Sequence, residues 1–402
     1  MRMEGQRFMS AGMLISLIIV LNTFGPISTD MFLSDIPNMA VDLDTDPATM
    51  NMVLYGFMLS MAVSILLFGP FTDRYGRKHL LIGCLAEYVA ASMIAAFVDN
   101  IYILVVFRVL QGIGAGGVIT ISTALIKDCF TGLTRAKVLN VISLIGVVGP
   151  LAAPIVGAYI ISIWDWRMTF IAPGVVAALC LIPAFMLSET LKDEHRDYKG
   201  IAPMFHAMEG ILVSPPFGSF LLMVTIFNMM FMGYLSVSSY IYEGMFGVSS
   251  TNYTLFLAAA LLFGSLMMPF FARGSRSLGY RRMIPVFFSV MFAGAFSMFM
   301  VGDGGKYVFL LTFLPCMCAC AAIRPYGMTV LMASHEGDNG MVSSLINFIF
   351  FLTGCIGMVV STMSFWPNYV YGLSAIGLIA CAIFLAMWAI MKATKYNLRA
   401  LR

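Results

Sequence analysis

The sequence predicts an all-α integral membrane protein with twelve transmembrane helices in two pseudo-symmetric six-helix halves. Of the 402 residues, 60% are hydrophobic and 11% are charged, whereas about 25% are charged in a typical soluble domain. The apolar residues form twelve runs, each about as long as a bilayer-spanning helix. The basic residues are concentrated in alternate connections between these runs. A soluble core cannot bury so much apolar surface, but lipid can cover it.

The predicted spans follow one another through mostly short connections. They comprise residues 10–36, 50–71, 80–98, 101–126, 137–163, 168–188, 217–241, 252–272, 283–301, 307–330, 341–363 and 369–391. The first run is too long for the apolar region of a cleavable signal peptide. The widest break follows the sixth span and contains a densely charged segment, residues 192–199. The predicted domains are an N-terminal half (1–190), a cytoplasmic linker (191–216) and a C-terminal half (217–402).

The distribution of basic residues predicts the orientation of the spans. With the N-terminus in the cytoplasm, 19 of the 23 Lys and Arg residues lie in cytoplasmic segments. The outer loops contain only Arg167 and Lys306, while Arg108 and Arg324 fall within spans. Basic loops are retained on the cytoplasmic side. We therefore expect a multi-pass protein of the cell inner (cytoplasmic) membrane with both termini in the cytoplasm.

The connection between the second and third spans, Gly-Pro-Phe-Thr-Asp-Arg-Tyr-Gly-Arg-Lys at residues 69–78, is the most informative stretch of the chain. Charge alone is typical of an ordinary topogenic loop. Gly69 and Gly76 permit a tight backbone, and Asp73 can accept hydrogen bonds from amides or a neighbouring guanidinium. The other charged members of the motif are Arg74, Arg77 and Lys78.

A degenerate copy of this connection follows the eighth span. The copy begins at Arg273 and lies 203 residues downstream, so that Gly76 corresponds to Gly279. The acid is lost, because Asp73 corresponds to Arg276. A repeat of this kind supports two related halves, which is how many transporters build a binding site near the membrane midplane.

Two further motifs lie inside predicted spans. The fourth span contains Arg108 and Gln111, followed by closely spaced glycines that indicate close helix packing. The fifth span contains Gly149, Pro150, Pro154 and Gly157.

The loop signature and the fourth-span motif resemble those of the major facilitator superfamily. The first-span sequence from Gly25 to Pro37, which contains Asp30, is similar to that of the bicyclomycin-resistance type of drug/proton antiporter, and so is the stretch from Trp166 to Phe170. Strong motifs cover roughly residues 22–191, and the second half resembles the family mainly in hydropathy. The fifth-span motif partly matches the Gly-Pro antiporter motif of that superfamily.

The resemblance implies a major facilitator fold, a proton and cation site at Asp30, and a conformational gate in the loop motif. In relatives, the aspartate and arginines of that loop hold the cytoplasmic faces of the two halves together. This chain also departs from the pattern: Thr123 stands where members of the group usually carry an arginine, and Glu87 and Arg324 are additional.

Ionisable residues within spans are functional candidates by default. Hydropathy leaves Asp30 either at the outer edge of the first span or inside it. Arg108 either faces a cavity, which we favour, or extends to the headgroups. Glu87 is interpreted first as a snorkelling or loop-paired carboxylate. For Arg324, ligand contact and structural pairing both remain open. The proton-coupling and substrate candidates are Asp30, Arg108, Gln111, Arg324 and Glu87.

The predicted function is proton-coupled antiport that exports lipophilic, drug-like compounds, including cationic ones, by alternating access. The expected partners of the protein are a small-molecule substrate, protons and the lipid bilayer, and no nucleic acid is expected to bind. We expect the protein to be a monomer. No cofactor or metal is expected. One alternative is a transporter of a polar or anionic metabolite, favoured by Arg108 and Arg324. A membrane-embedded enzyme is the weaker alternative, because the four histidines (His79, His195, His206 and His335) lie outside the spans.

Overall fold

The computed structural model describes residues 9–191, 202–334 and 339–393, which are almost entirely helical. The chain divides into two compact units, Met1–Ile201 and Ala202–Arg402, called unit 1 and unit 2 below. The helices of unit 1 are α1 (Ala11–Leu21), α2 (Phe24–Asp30), α3 (Ile36–Asp42), α4 (Pro47–Met50), α5 (Met52–Tyr75), α6 (Arg77–Ala96), α7 (Ile101–Cys129), α8 (Gly132–Ile163) and α9 (Met168–Met186). Those of unit 2 are α10 (Ala202–Val213), α11 (Pro215–Thr225), α12 (Asn228–Ser239), α13 (Ser250–Leu278), α14 (Tyr280–Val301), α15 (Lys306–Ala333), α16 (Asn339–Ser361) and α17 (Tyr369–Ala393).

The number of membrane spans confirms the predicted fold class. Within the described ranges, eleven helical segments are long and apolar enough to cross a membrane, and the bent helix α8 brings the total to twelve. The first span is interrupted: α1, α2 and α3 form one apolar segment, Ala11–Asp42, with a short 3₁₀ turn at Leu33–Asp35. The seventh, Pro215–Met245, consists of α11, α12 and a π-helical turn at Tyr240–Met245.

Unit 1 is packed around α7. The predicted close packing at its glycines is confirmed, because a Cβ at Gly112 or Gly116 would collide with α5 and one at Gly114 or Gly117 would collide with α6. Ser64 of α5 also donates a 2.7 Å hydrogen bond to the carbonyl of Ile113. Small residues stabilise helix pairs in membranes by allowing the two backbones to approach each other. The spacing of these glycines therefore lets α7 contact a different helix on each of two faces.

Unit 2 has a core of aromatic side chains. Tyr234 of α12 stacks on Phe313 of α15 with ring centroids 3.8 Å apart. Tyr242 stacks on Phe256 of α13 at 4.8 Å. Aromatic pairs add about 0.5–1.5 kcal/mol beyond the burial of their area. These contacts connect the seventh span with α13 and α15.

The connection between α5 and α6 differs from the predicted loop. We expected ten linking residues, but α5 continues to Tyr75 and Gly76 alone separates it from α6. Gly76 has φ +93°, a conformation that favours glycine. In unit 2, Gly279 links α13 and α14 in the same way with φ +81°. The repeat deduced from the sequence thus has the same backbone geometry in both copies.

Part of the predicted linker is helical. Residues 192–201 of the interval 191–216 lie outside the described residues, but α10 occupies Ala202–Val213. A short helix was not predicted there.

Candidate functional site

Asp30 lies in the interior of the first span. It is the last residue of α2, is 6% exposed, and is followed by apolar helix as far as Asp42. The alternative position at the outer edge is therefore wrong. Its Oδ1 accepts a 2.8 Å hydrogen bond from Thr29 Oγ1, and no other described residue donates to the carboxylate. Burial without a cationic partner makes the charged carboxylate costly and leaves the group able to bind a proton or a cation.

Arg108 is fully buried and donates from all three of its nitrogens. Nε donates to the carbonyl of Val53 at 3.0 Å, and Nη2 donates to the carbonyl of Ser28 at 2.9 Å. Nη1 donates to Gln111 Oε1 at 2.5 Å. These bonds join α7 to α2 and α5. Hydrogen bonds to charged groups contribute about 1.5–3 kcal/mol each, which is the size needed to offset a desolvation cost of several kcal/mol.

Three aromatic rings surround the same guanidinium. The Arg108 carbon Cζ lies 4.3 Å from the ring centroid of Phe57, 5.1 Å from that of Phe32 and 5.6 Å from that of Phe170. Among the described residues, no carboxylate lies within 4.0 Å of Arg108, and Asp30 does not bond to it. We expected a cavity-facing arginine, but this side chain is completely enclosed. It does not extend to the headgroups either.

Hydroxyl groups complete the network around Arg108. Gln111 Nε2 donates to Ser92 Oγ of α6 at 2.6 Å, and the Ser28 and Tyr88 hydroxyls are hydrogen-bonded to each other. Ser28, Tyr88 and Ser92 were not predicted, since isolated hydroxyls in apolar runs carry no distinctive sequence signal. Thr123, which replaces the expected arginine, donates to the carbonyl of Ile119 in its own helix.

The fifth-span motif packs against the segment that carries Asp30. Gly157 contacts the backbone of Met31 so closely that no Cβ would fit, and a Cβ at Gly149 would lie 3.1 Å from Pro26. Pro150 and Pro154 lie between these glycines inside α8, which is bent just before them. The motif therefore determines how closely α8 approaches α2.

Glu87 does not snorkel or pair with a loop. Both carboxylate oxygens are shielded from solvent, and no described side chain donates a hydrogen bond to them. The carboxylate lies against Gly114 of α7, where any Cβ would collide with it. The interpretation as a loop-paired acid is wrong, and Glu87 is an intramembrane carboxyl group without a cationic partner in the described chain.

Arg324 of α15 has an exposed side chain. Its Nη2 donates to Asn347 Oδ1 at 3.2 Å, and its Cζ lies 4.4 Å from the ring centroid of Phe350. Both partners belong to α16. No described carboxylate pairs with it, so its structural partners are Asn347 and Phe350, and ligand contact stays a prediction.

The loop motif forms an ion-pair network at one end of unit 1. Arg77 is 7% exposed and donates to Asp73 Oδ1 at 2.7 Å, to Asp128 Oδ2 at 3.1 Å and to the carbonyl of Thr72 at 2.5 Å. Asp128 lies at the end of α7 and also accepts from Thr190 Oγ1 at 2.8 Å. One guanidinium thus joins the ends of α5, α6 and α7.

Glu189 caps the start of α6. Its carboxylate accepts from the backbone N–H groups of Arg77 at 2.8 Å and Lys78 at 3.2 Å. It also accepts from those of Thr190 at 3.0 Å and Leu191 at 3.1 Å. Burial raises the pKa of Glu189, but these four donors outweigh burial, so that its pKa is lowered. A negative charge at a helix N-terminus is further stabilised by the helix dipole.

The other members of the motif have smaller structural roles. Arg74 is exposed and lies 5.3 Å from the ring of Tyr75. Gly69 sits inside α5 with open space around it, so a tight backbone is required at Gly76 and not at Gly69. Asp128 and Glu189 were not predicted, because their contacts join segments that are far apart in the sequence.

Comparisons with known proteins agree with this architecture. The family model described as Major Facilitator Superfamily matches residues 14–358. The Multidrug resistance protein MdtL of Klebsiella pneumoniae is 26% identical over 364 residues, which cover 89% of this chain and 90% of that protein. A Bicyclomycin resistance protein homolog of Haemophilus influenzae is 29% identical over 178 residues, 44% of this chain and 45% of that protein.

Several solved transporter structures resemble this chain. A bacterial homolog of the human lysosomal transporter Spinster, in an inward-facing and occupied conformation, matches with a TM-score of 0.73. The match covers 96% of this chain and 97% of the other at 14% identity, which supports the fold alone.

We predict that Glu189→Gln destabilises the protein by about 1 kcal/mol near neutral pH, because the helix-capping charge is lost. The pKa of Glu189 is lower in the folded protein than its unfolded-state value of 4.5, so the ionised carboxylate stabilises the folded protein above pH 4.5. This stabilisation is lost as the pH falls through the folded-state pKa. The melting temperatures of parent and variant in detergent should therefore differ at about pH 7 and approach each other as the pH falls below the unfolded-state value and through the lowered folded-state value. Glu209→Gln, at an exposed position of α10, is the control. Equal melting temperatures at neutral pH would contradict the capping role.

Proposed function

Because this chain belongs to the Major Facilitator Superfamily and is a secondary transporter rather than an enzyme, we propose that it is a proton-coupled antiporter for lipophilic compounds. The proposed cargo is drug-like and includes cations. Export from the cytoplasm is driven by protons that re-enter through the same protein. Alternating access exposes the binding groups to one side of the membrane at a time.

The observation that carries this proposal is the state of Asp30. The carboxyl group lies in the interior of the first span, is bonded only to Thr29 among the described residues, and forms no ion pair with Arg108. A carboxylate in this setting exchanges one positive partner for another: a proton when the substrate is absent, or a cationic group of the substrate. Competition for one carboxyl group is a sufficient basis for antiport.

Arg108 serves in this proposal as a positioning residue. Its bond to the carbonyl of Ser28 holds α2 two residues before Asp30. All of its nitrogens donate to neutral oxygens, so the guanidinium does not neutralise Asp30 by a direct contact. Gly149 and Gly157 of α8 support the other side of the same segment.

The type of cargo is supported by relatives and by composition. Two similar proteins are named for multidrug resistance and bicyclomycin resistance. The chain also has 34 methionines and 33 phenylalanines, and flexible Met and aromatic surfaces suit varied lipophilic ligands. A polar or anionic cargo is the second candidate, and the exposed guanidinium of Arg324 favours it.

The variant Asp30→Asn tests whether this carboxyl group couples proton movement to substrate transport. This variant keeps a side-chain oxygen for Thr29 but cannot exchange a proton, so it should still bind some neutral lipophilic ligands. In proteoliposomes it should no longer accumulate substrate in response to a pH gradient, and substrate-induced proton release in detergent should vanish.

Asp35→Asn provides the matched control, since Asp35 is a second buried carboxyl group in the same span that bonds to Asn38. It should retain both activities. Proton release and uphill transport by Asp30→Asn at the parent's level would place coupling elsewhere, and Glu87 would be tested next.

We further propose that the ion-pair network at Asp73, Arg77 and Asp128 is a conformational gate. Asp73 is half exposed, and exposed pairs contribute about 0.2–1 kcal/mol. Asp73→Asn should therefore insert normally and slow turnover by a factor of roughly two to five, through a bias between conformations. Initial transport rates in proteoliposomes test this. Asp165→Asn, which removes an exposed partner of Arg167, should transport at the parent rate, and equal rates for both variants would reduce the motif to a topology signal.

We propose an inner-membrane location with both termini and the 191–216 linker in the cytoplasm. Cysteines placed at the exposed Ala48 and Asp303 should react in intact cells with a membrane-impermeant maleimide. Cysteines at the exposed Leu133 and Ser277 should react only after permeabilisation. The native cysteines are buried, so the parent gives the background. The reverse labelling pattern would overturn the proposed orientation.

A further inference from the structure

Arg108 and Arg324 lie well inside membrane spans of the described chain, and their surroundings differ sharply. Arg108 is fully buried, donates from three nitrogens and is surrounded by three phenylalanine rings. Arg324 is exposed and donates one hydrogen bond of 3.2 Å within the described chain. A guanidinium has five N–H donors. Arg108 is therefore satisfied by its own unit, whereas most donors of Arg324 are left for other partners.

The position of Arg324 inside the tenth span argues against a lipid-facing guanidinium. It lies nine residues before the end of α15 at Ala333, which corresponds to roughly 13 Å of helix at 1.5 Å per residue. A charged side chain exposed to hydrocarbon at such a depth is costly, and intramembrane arginines face protein interiors or water-filled cavities instead. An exposed guanidinium at this position therefore suits a space that admits water or a polar ligand.

The guanidinium is held in a defined orientation by α16. Asn347 and Phe350 are three residues apart and so share one face of that helix. Asn347 accepts from Nη2, and the Phe350 ring lies 4.4 Å from Cζ. Phe350 is itself buried, and its carbonyl accepts a 2.6 Å hydrogen bond from Asn228 of α12. Three helices of unit 2 thus contribute to the placement of one cationic group.

We propose that Arg324, Asn347 and Phe350 form a subsite for the carboxylate of an amphipathic substrate. A lone guanidinium binds a carboxylate through two parallel N–H···O bonds, and its planar fork matches that group. No second cationic side chain is hydrogen-bonded or stacked within this cluster in the described chain, so a singly charged anion fits better than a phosphate. Phe350 is buried and stacks on the guanidinium, so its role in the subsite is to orient Arg324. The subsite therefore extends the proposed lipophilic cargo to carboxylates and zwitterions.

This inference rests on the proposed transport function in one respect, namely that the bound carboxylate is the transported substrate. Binding itself can be measured without transport. The experiment uses the purified full-length protein in detergent with two probes of nearly equal shape, 2-naphthoate and 2-naphthamide. The parent should bind the carboxylate more tightly than the amide. Arg324→Gln should weaken binding of 2-naphthoate at least tenfold and leave binding of 2-naphthamide nearly unchanged.

Two further variants make the test specific. Arg276→Gln removes an exposed arginine near the end of α13, outside the cluster, and should bind both probes like the parent. Asn347→Ala should weaken naphthoate binding by a smaller factor, because it releases the orientation of the guanidinium without removing the charge. If Arg324→Gln does not yield a monodisperse protein, Arg324→Lys and Asn347→Ala give the same comparison.

Equal affinity of the parent for the two probes would overturn the subsite. So would an equal loss of affinity for both probes in Arg324→Gln, or an unchanged preference for the carboxylate. The coupling experiment on Asp30 is independent of these outcomes. If the parent prefers naphthoate while Asp30→Asn still couples transport to the pH gradient as the parent does, this inference stands and coupling at Asp30 is overturned. If Asp30→Asn is uncoupled while the parent shows no preference for naphthoate, the subsite alone is overturned.

Discussion

The organisation of unit 1 depends on the burial of the Arg108 charge without a carboxylate. A guanidinium inside a membrane domain is tolerated only when its donors are satisfied and its charge is stabilised nearby. Here backbone carbonyls of α2 and α5, an amide of α7 and three aromatic rings meet both needs. Because those partners come from separate helices, the charge also fixes the positions of those helices. A neutral side chain at this position would need none of these contacts.

In this arrangement Arg108 forms no ion pair with Asp30, although both contact or belong to the same short helix. The short helix α2 carries both the carbonyl that Arg108 holds and, two residues later, the buried carboxyl group. Its other side is packed by the glycines of α8, which admit the backbone of Met31 at a distance that no larger residue allows. The first span is therefore positioned from two sides. This rigidity suits a group that exchanges ions, since its surroundings do not need to rearrange when the ion changes.

The two copies of the loop motif show how a repeat can diverge while its backbone is retained. Both connections consist of one glycine with positive φ between two helices. In unit 1 that connection is surrounded by Asp73, Asp128 and Glu189, which bind the side chain or backbone of Arg77. In unit 2 the aspartate is replaced by Arg276, which is exposed. The turn is preserved by steric necessity, whereas the acids are free to vary between halves.

The sequence by itself determined the fold class, the succession of apolar spans and the repeat of the glycine-containing connection. Long apolar runs and positive-φ glycines act locally, so their consequences are readable without the tertiary structure. Only the tertiary structure decided which ionisable groups meet. It enclosed Arg108, which we expected in a cavity, buried Glu87 against Gly114, and brought Asp128 and Glu189 to Arg77. Such contacts join helices that are distant along the chain. Which residues form such contacts depends on how the helices pack in three dimensions, and hydropathy and motif spacing carry no information about that packing.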